Sequence, residues 1–260
     1  MVRGIEKFKE YFAAYPDNYV IIGGTACDLI TEEAGLVARA TKDIDIILVI
    51  EALSTDFVQT FWEFIKEGNY KRTESGGEER KYYRFIDPEN SDYPKQIELF
   101  SRTPDVIKID PDLHLTPIPV DDDLSSLSAI LLDDDFYNYV IEHSEIVDNI
   151  HRAKLESIIV LKAKAFIDIT KRIAQGVNED SKNLKKHRND AFKMTLLLTG
   201  QEEFPLPASI RTMLIDFLKL IKYDLPTAEV FAKMGLKGAK SEEILSTILK
   251  VFVINEDELK

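Results

Sequence analysis

The stretch that decides the fold is residues 19–48, which read YVIIGGTACDLITEEAGLVARATKDIDIIL. Its first four residues are apolar and form a run short enough for a buried strand. Gly23 and Gly24 then break this run, and a helical pattern follows. A second apolar run comes after the helix and carries Asp43 and Asp45. We therefore predict a strand, a glycine turn, a helix and a second strand that bears two carboxylates.

The two aspartates indicate a metal site. Asp43 and Asp45 are separated by one residue, and alternate residues of a strand point to the same face. Two adjacent carboxylates repel each other unless a cation lies between them. Magnesium accepts one or two carboxylates together with phosphate oxygens, and a glycine turn that begins a helix offers N–H groups to those phosphates. A solvated strand face is the alternative interpretation of the same pair.

A third carboxylate comes from a later predicted strand, residues 95–100. Glu98 lies there between Ile97 and Leu99, so it would project from a buried strand. A glutamate is longer than an aspartate and positions a metal less tightly. If Glu98 faces away from the aspartates, the protein could bind a nucleotide without transferring it. The combined pattern favours a metal–nucleotide site.

Three motifs resemble the polymerase-β-type nucleotidyltransferase superfamily, and within it the AbiEii-like branch of abortive-infection systems and toxin–antitoxin pairs. They are Gly23-Gly24-Thr25, Arg39-Ala40-Thr41-Lys42-Asp43-Ile44-Asp45 and Ile97-Glu98-Leu99. The resemblance implies a small nucleotidyltransferase domain followed by helices. It also implies that Asp43, Asp45 and Glu98 are the catalytic carboxylates and hold the metal. The incoming triphosphate would then lie over the two glycines, with Thr25, Arg39 and Thr41 helping to bind it.

Two further pieces resemble later motifs of the same family. Lys162 follows an acidic residue on a predicted helix, and the resemblance implies that it places a positive charge on the triphosphate. Lys164 competes for that role, and an exposed lysine without a ligand is the alternative. Arg188 and Asp190 resemble the last motif, an Arg-x-Asp that would contribute to nucleotide binding. The family usually has a second aspartate three residues later, where this chain has Lys193.

The implied activity is transfer of a nucleoside monophosphate from a nucleoside triphosphate (NTP) to an acceptor hydroxyl, with one or two Mg²⁺ ions as cofactor. The acceptor stays open among RNA, a protein side chain and a small molecule. A toxin role with a cognate antitoxin protein as partner belongs to the same resemblance. Two other functions stay open: a catalytically silent nucleotide-binding or protein-interaction module, and a helical scaffold whose first domain carries a vestigial site.

Charge divides the chain in two. Residues 1–150 hold 14 Lys and Arg against 31 Asp and Glu, whereas the remaining residues hold 19 against 15. The strong negative charge of residues 1–150 disfavours non-specific binding to nucleic acid. The basic cluster at residues 182–188 could still contact RNA locally. The shift in charge supports a domain boundary near residue 150. With this boundary, the resemblance implies an α+β protein with a mixed-sheet nucleotidyltransferase domain at 1–150 and a helical bundle at 151–260.

Composition predicts a cytoplasmic protein without a membrane partner. No run reaches the roughly 20 apolar residues that span a bilayer. The only cysteine, Cys27, has no partner for an internal disulfide, which fits a reducing compartment.

Periodicity and turn residues predict the remaining elements. We expect strands at 19–23, 41–50, 69–74, 80–86, 95–100 and 125–132. We expect helices at 3–15, 25–35, 55–66, 134–143, 153–172, 181–198, 207–222, 226–234 and 241–253. The runs Asp121–Asp123 and Asp133–Asp135 are expected to be a solvated turn and a helix N-terminus, and the last six residues are expected to fray.

Overall fold

The computed structural model describes residues 2–72, 83–100 and 133–260. The architecture is α+β, as predicted. The strands are β1 Tyr19–Ile22, β2 Asp43–Leu48, β3 Lys71–Arg72, β4 Tyr83–Ile86, β5 Gln96–Phe100, β6 Ser144–Val147 and β7 Ile150–Ala153. The α-helices are α1 Ile5–Phe12, α2 Gly23–Glu33, α3 Thr55–Glu67, α4 Asp134–Glu142, α5 Leu155–Ala174, α6 Ser181–Thr195, α7 Ala208–Ile221, α8 Ala228–Ala232 and α9 Ser241–Val251.

Several expectations fall outside the described residues. They are the strand at 125–132, the acidic run Asp121–Asp123, and residues 73–82, which include the facing ends of the strands expected at 69–74 and 80–86. The other acidic run behaves as expected, because the side chain of Asp133 accepts a hydrogen bond from the backbone N–H of Asp135 at the start of α4. None of the helices in the described ranges is long and apolar enough to cross a membrane.

The chain divides into two compact units. The first comprises Met1–Leu29 and Arg39–Ala153, and the second comprises Ile30–Ala38 and Lys154–Lys260. The first unit contains the described strands, whereas the second is helical.

The seven described strands of the first unit form one mixed sheet in the order β3-β4-β5-β2-β1-β7-β6. The pairs β2–β5 and β1–β7 are parallel, and the other neighbours are antiparallel. Along β2, Ile44 and Ile46 are fully buried, while Asp43 and Asp45 are half-buried. The predicted alternation of this strand is therefore confirmed.

An aromatic core fills one side of the sheet. The ring of Phe8 on α1 lies 4.5 Å from that of Phe12 and 5.2 Å from that of Tyr19. From α3, Phe57 packs 5.5 Å from Phe12. Ser54 caps α3 by accepting a hydrogen bond from the N–H of Phe57 at 3.2 Å, as its position predicts. The apolar stripe of α3 is thus core, as predicted, and does not form a base-stacking surface.

The β6–β7 hairpin lies where the sequence predicts no regular element, between the helices expected at 134–143 and 153–172. Each strand has only four residues, which is too few for a clear period-2 pattern. The sign that could have found it is the two-residue link, Asp148 and Asn149, whose φ angles of 50° and 61° are those of a type I′ turn. The hairpin joins the sheet through β7, where Arg152 pairs with Ile21 of β1.

In the second unit, α5 packs against α6 and α7, and α6 packs against α9. The expectation of a frayed tail is wrong. Glu256–Leu259 forms a 3₁₀ helix that begins with a capping box at Asn255, and Leu259 is buried. The guanidinium of Arg211 lies 2.7 Å from a carboxylate oxygen of Glu258, so both apolar and ionic contacts hold the last turn.

Candidate functional site

Parallel pairing brings the three predicted carboxylates to one face of the sheet. Asp45 of β2 pairs with Glu98 of β5, and Asp43 pairs with Gln96. Paired residues on neighbouring strands point to the same face, and so do alternate residues of one strand. Asp43, Asp45 and Glu98, which we call the acidic triplet, therefore share a face of the first unit. Glu98 is the most buried of them, with 8% of its surface exposed.

A residue that the sequence did not reveal orients the glutamate. The Nε2 amide of Gln96 donates a hydrogen bond to Oε1 of Glu98 at 2.7 Å. Gln96 is also the backbone neighbour of Asp43 across the strand pair. One oxygen of Glu98 is thereby directed along β5, toward the position that pairs with the first aspartate.

The start of α2 lies against the acidic triplet. Gly23 has a φ of 69°, and a Cβ at this position would lie 2.9 Å from Cγ of Asp45 and overlap its Oδ2. A glycine is therefore required for two reasons, the left-handed backbone and the space that the carboxylate occupies. The carboxylate of Asp45 is thus in contact with the backbone at the N-terminus of a helix.

Gly24 lets the Arg39–Thr41 segment approach the same helix end. A Cβ at position 24 would lie 3.1 Å from Cγ2 of Thr41 and 3.5 Å from Nη2 of Arg39. The guanidinium of Arg39, on an exposed residue, stands beside the positive end of α2. A guanidinium next to the backbone N–H groups of a helix N-terminus is suited to bind phosphate.

Two side chains of α2 contact the segment that carries these residues. The hydroxyl of Thr25, which is fully buried, donates a hydrogen bond to the backbone carbonyl of Asp43. The carboxylate of Asp28, 3% exposed, accepts hydrogen bonds from the backbone N–H groups of Thr41 and Arg39. The sequence analysis missed Asp28. No side-chain pattern marks it, because its partners are backbone N–H groups 11 and 13 residues further along the chain.

The second unit contains the other predicted residues, and they form ion pairs there. Lys162 of α5 is buried, with its Nζ 3.5 Å from Oδ2 of Asp190 on α6. Nζ of Lys193 lies 3.8 Å from the other oxygen of Asp190. The competing lysine, Lys164, instead contacts Asp168 one turn along α5 at 2.5 Å. Lys162 is therefore the lysine that links two helices, and it is not an exposed side chain.

Arg188 contacts a different part of the second unit. Its Nη1 donates a hydrogen bond to the backbone carbonyl of Asp224 at 2.6 Å and forms an ion pair with the carboxylate of the same residue. Its Nε donates to the side chain of Asn189 at 3.3 Å. The guanidinium is buried, so it connects α6 to the turn that follows α7.

Asp43 and Asp45 of the first unit are better suited to bind magnesium together with a nucleotide than to bind a metal ion alone. Among residues 2–72, 83–100 and 133–260, no three His, Cys, Asp or Glu side chains are arranged to hold a metal. Magnesium seldom uses such a cage, because one or two carboxylates and the phosphates of a substrate usually complete its ligands. Asp43 and Asp45 supply those oxygens beside a helix N-terminus that can hold the phosphates.

Comparison with known proteins gives one remote likeness. No protein-family model matches the chain, and no curated protein matches it. A solved structure that resembles it is that of an antigenic nucleotidyltransferase-like protein from Paracoccidioides brasiliensis, with 14% identity and a TM-score of 0.41. The match covers 92% of this chain and 95% of the other. At this TM-score the likeness carries no weight, and any function must rest on the geometry of the described residues.

Proposed function

We propose that the protein is a magnesium-dependent nucleotidyltransferase that moves a nucleoside monophosphate from an NTP to an acceptor hydroxyl. The observation that carries the proposal is the pairing of Asp45 with Glu98 while the carboxylate of Asp45 contacts Gly23 at the start of α2. Carboxylates that can bind a metal therefore lie beside the N–H groups at the start of α2, which can bind phosphates. The motifs that resemble the AbiEii-like branch support the same activity.

Each predicted site residue of the first unit has a role in this proposal. Asp43 and Asp45 would hold magnesium, which when bound stabilises negative charge on the attacking and leaving oxygens. The N–H groups at Gly23 and Gly24 and the guanidinium of Arg39 would bind the triphosphate. Thr25 holds the strand by its bond to Asp43, and Thr41 stands beside Gly24.

Glu98 is proposed as the base. The acceptor hydroxyl gives its proton to the carboxylate of Glu98 as its oxygen bonds to the α-phosphorus. The bond between the α-phosphorus and the bridging oxygen breaks, and pyrophosphate leaves with that oxygen. The hydrogen bond from Gln96 holds one carboxylate oxygen of Glu98 in place.

For the second unit, the motif resemblance assigns nucleotide contacts to Lys162, Arg188 and Asp190. Their burial and ion pairs mean that their substitution should disturb the packing of the helices as well as any nucleotide contact. A measurement of stability must therefore accompany every activity measured on these variants.

The acceptor hydroxyl stays open among RNA, a protein side chain and a small molecule, and these three classes are the outcomes of the test. A toxin role, with a cognate antitoxin as partner in the cytoplasm, is the biological setting that the resemblance implies. A second candidate is a silent nucleotide-binding module. The Gln96 hydrogen bond favours it, because it engages an oxygen of the carboxylate that is proposed as the base.

Pyrophosphate release tests the proposal. The wild-type chain, with Mg²⁺, each of the common NTPs and total RNA, should release pyrophosphate. Asp43→Asn and Asp45→Asn should lower the rate by on the order of 100-fold or more, equivalent to about 3 kcal/mol of lost transition-state stabilisation. Asp56→Asn removes an exposed carboxylate at the start of α3 and should leave the rate unchanged. Tight NTP binding without pyrophosphate release would instead support the silent module.

A further inference from the structure

Asp28 is a buried acid that lies outside the acidic triplet. Its Oδ2 accepts a hydrogen bond from the backbone N–H of Thr41 at 2.6 Å, and its Oδ1 accepts a longer one from Arg39 at 3.4 Å. Only 3% of Asp28 is exposed. Burying a carboxylate is unfavourable unless hydrogen bonds compensate it, and here both of the donors belong to the segment that leads into β2.

The backbone between those two donors is strained. Ala40 has a φ of 60°, which lies in the left-handed region that non-glycine residues seldom adopt. Two N–H groups on either side of a left-handed residue can converge on one anion. Strain of this kind persists where the surrounding contacts hold it, and the carboxylate of Asp28 is such a contact.

The same face of α2 holds the segment at a second point. Thr25 is three residues before Asp28, so the two side chains lie on one face of the helix. The hydroxyl of Thr25 donates to the carbonyl of Asp43. Asp28 and Thr25 together therefore contact alternate residues of the segment, at 39, 41 and 43.

We propose that Asp28 is a positioning residue for the nucleotide site. It fixes where the guanidinium of Arg39 and the side chain of Thr41 stand beside the N-terminus of α2, although it does not itself touch the substrate. The inference rests on the proposed function, because it takes these two side chains to bind the triphosphate. It predicts that the loss of Asp28 weakens nucleotide binding in a chain that is still folded.

Two substitutions and one control test this role. Asp28→Ala removes both acceptors. Asp28→Asn is nearly isosteric and keeps one oxygen that can accept from Thr41. Glu33→Gln neutralises an exposed carboxylate of the same helix. Amide hydrogen exchange at positions 39 and 41 and the dissociation constant of Mg²⁺–NTP are measured for each, at a temperature at which circular dichroism shows the variant to be folded.

Asp28→Ala should expose the amides of Arg39 and Thr41 to exchange and raise the dissociation constant by about tenfold or more, as expected for the loss of charge-assisted hydrogen bonds. Asp28→Asn should keep part of the protection at Thr41 and fall between Asp28→Ala and wild type in affinity. Glu33→Gln should match wild type. If Asp28→Ala does not fold, Asp28→Asn carries the test by the same two measurements.

Unchanged protection at position 41, or faster exchange with wild-type affinity, would overturn the positioning role. The second of these results is what a purely structural role for Asp28 predicts. A wild-type chain that binds no Mg²⁺–NTP would contradict the proposed function, and with it the nucleotide part of this inference. Amide exchange would still show separately whether Asp28 holds the segment.

Discussion

The carboxylate of Asp45 lies against the backbone of Gly23, so closely that a Cβ on the glycine would overlap Oδ2. The two residues are brought together by the antiparallel pairing of β1 and β2, in which Ile22 pairs with Asp45. The register of β1 and β2 therefore places the carboxylate of Asp45, which is a group that can bind a metal, beside the N-terminus of α2, which can bind phosphate.

Comparison of Gly23→Ala with Gly35→Ala should separate the effect of the contact with Asp45 from the effect of a left-handed backbone alone. Gly23 and Gly35 have similar φ angles of 69° and 72°, but no atom of the described chain lies within 4 Å of a Cβ built at Gly35. Gly35→Ala should lower the free energy of unfolding by about 1–2 kcal/mol, the cost of a left-handed alanine. Gly23→Ala should lower it further and also abolish Mg²⁺–NTP binding. Denaturant unfolding and calorimetry measure the two effects, and equal affinities in the two variants would contradict the account.

Metal binding should depend on the nucleotide. Because Asp43 and Asp45 offer an incomplete set of ligands, Mg²⁺ alone should bind weakly, and the metal should bind tightly only together with an NTP. Calorimetric titration of Mg²⁺ with and without a non-hydrolysable NTP analogue measures this coupling. Removal of the metal with EDTA should release the nucleotide. Micromolar binding of Mg²⁺ to the nucleotide-free chain would show that the protein alone completes the site.

The ion pair between Lys162 and Asp190 should be strongly coupled. Removal of one partner of a buried pair weakens the compensation of the remaining charge, which costs up to about 3–5 kcal/mol when no other partner is left, so Lys162→Ala and Asp190→Ala should each destabilise the chain. Lys193 still lies 3.8 Å from Asp190, so Lys162→Ala should lose less than that limit. The double variant should lose less free energy of unfolding than the two single variants lose together. Lys164→Ala, which removes a pair within one helix, should cost about 1 kcal/mol or less. Urea unfolding measures all four variants, and strictly additive losses would mean that the pair does not stabilise the second unit.

His151 should make stability depend on pH. Its Nδ1 lies 2.8 Å from the carbonyl oxygen of Pro16 and its Nε2 lies 2.7 Å from Oγ of Ser144. Burial lowers the pKa of His151 below its ordinary value of 6.5, against a smaller opposing effect of the Pro16 carbonyl. The unfolded chain therefore binds this proton at a higher pH than the folded chain does.

Protonation of His151 should favour the unfolded state. Well above pH 6.5 the histidine is neutral in both states and contributes no pH dependence. As the pH falls from 6.5 toward the lower pKa of the folded state, the free energy of unfolding should decrease. His151→Gln should reduce this slope between pH 7 and pH 5, as measured by urea unfolding. A wild-type slope that the substitution leaves unchanged would assign the effect to other groups.

Local signals were sufficient for the elements that build the site. The glycine break, the alternation along β2 and the apolar flanks of Glu98 each depend on a few neighbouring residues. The cap at Ser54 has the same local character. The signal in a strand is strong because a strand that is buried on one face must alternate apolar and polar residues. The signal at a helix start is strong because the first N–H groups of a helix need an acceptor.

The parts that were missed depend on contacts distant in sequence. Asp28 acts on backbone N–H groups at 39 and 41, which no side-chain pattern records. Gln96 matters only because β5 pairs in register with β2. The β6–β7 hairpin is short, and its place in the sheet depends on the pairing of Arg152 with Ile21.

The most direct test of the central claim is transfer of label from an α-phosphate-labelled NTP in the presence of Mg²⁺ and total RNA. The account predicts that the wild-type chain joins the label covalently to an acceptor. Asp43→Ala/Asp45→Ala should abolish this transfer, whereas Asp56→Asn should retain it. Label on RNA, on protein or on a small molecule would identify the acceptor class. Transfer by the double variant at the wild-type rate, or no transfer by a wild-type chain that binds Mg²⁺–NTP, would contradict the claim.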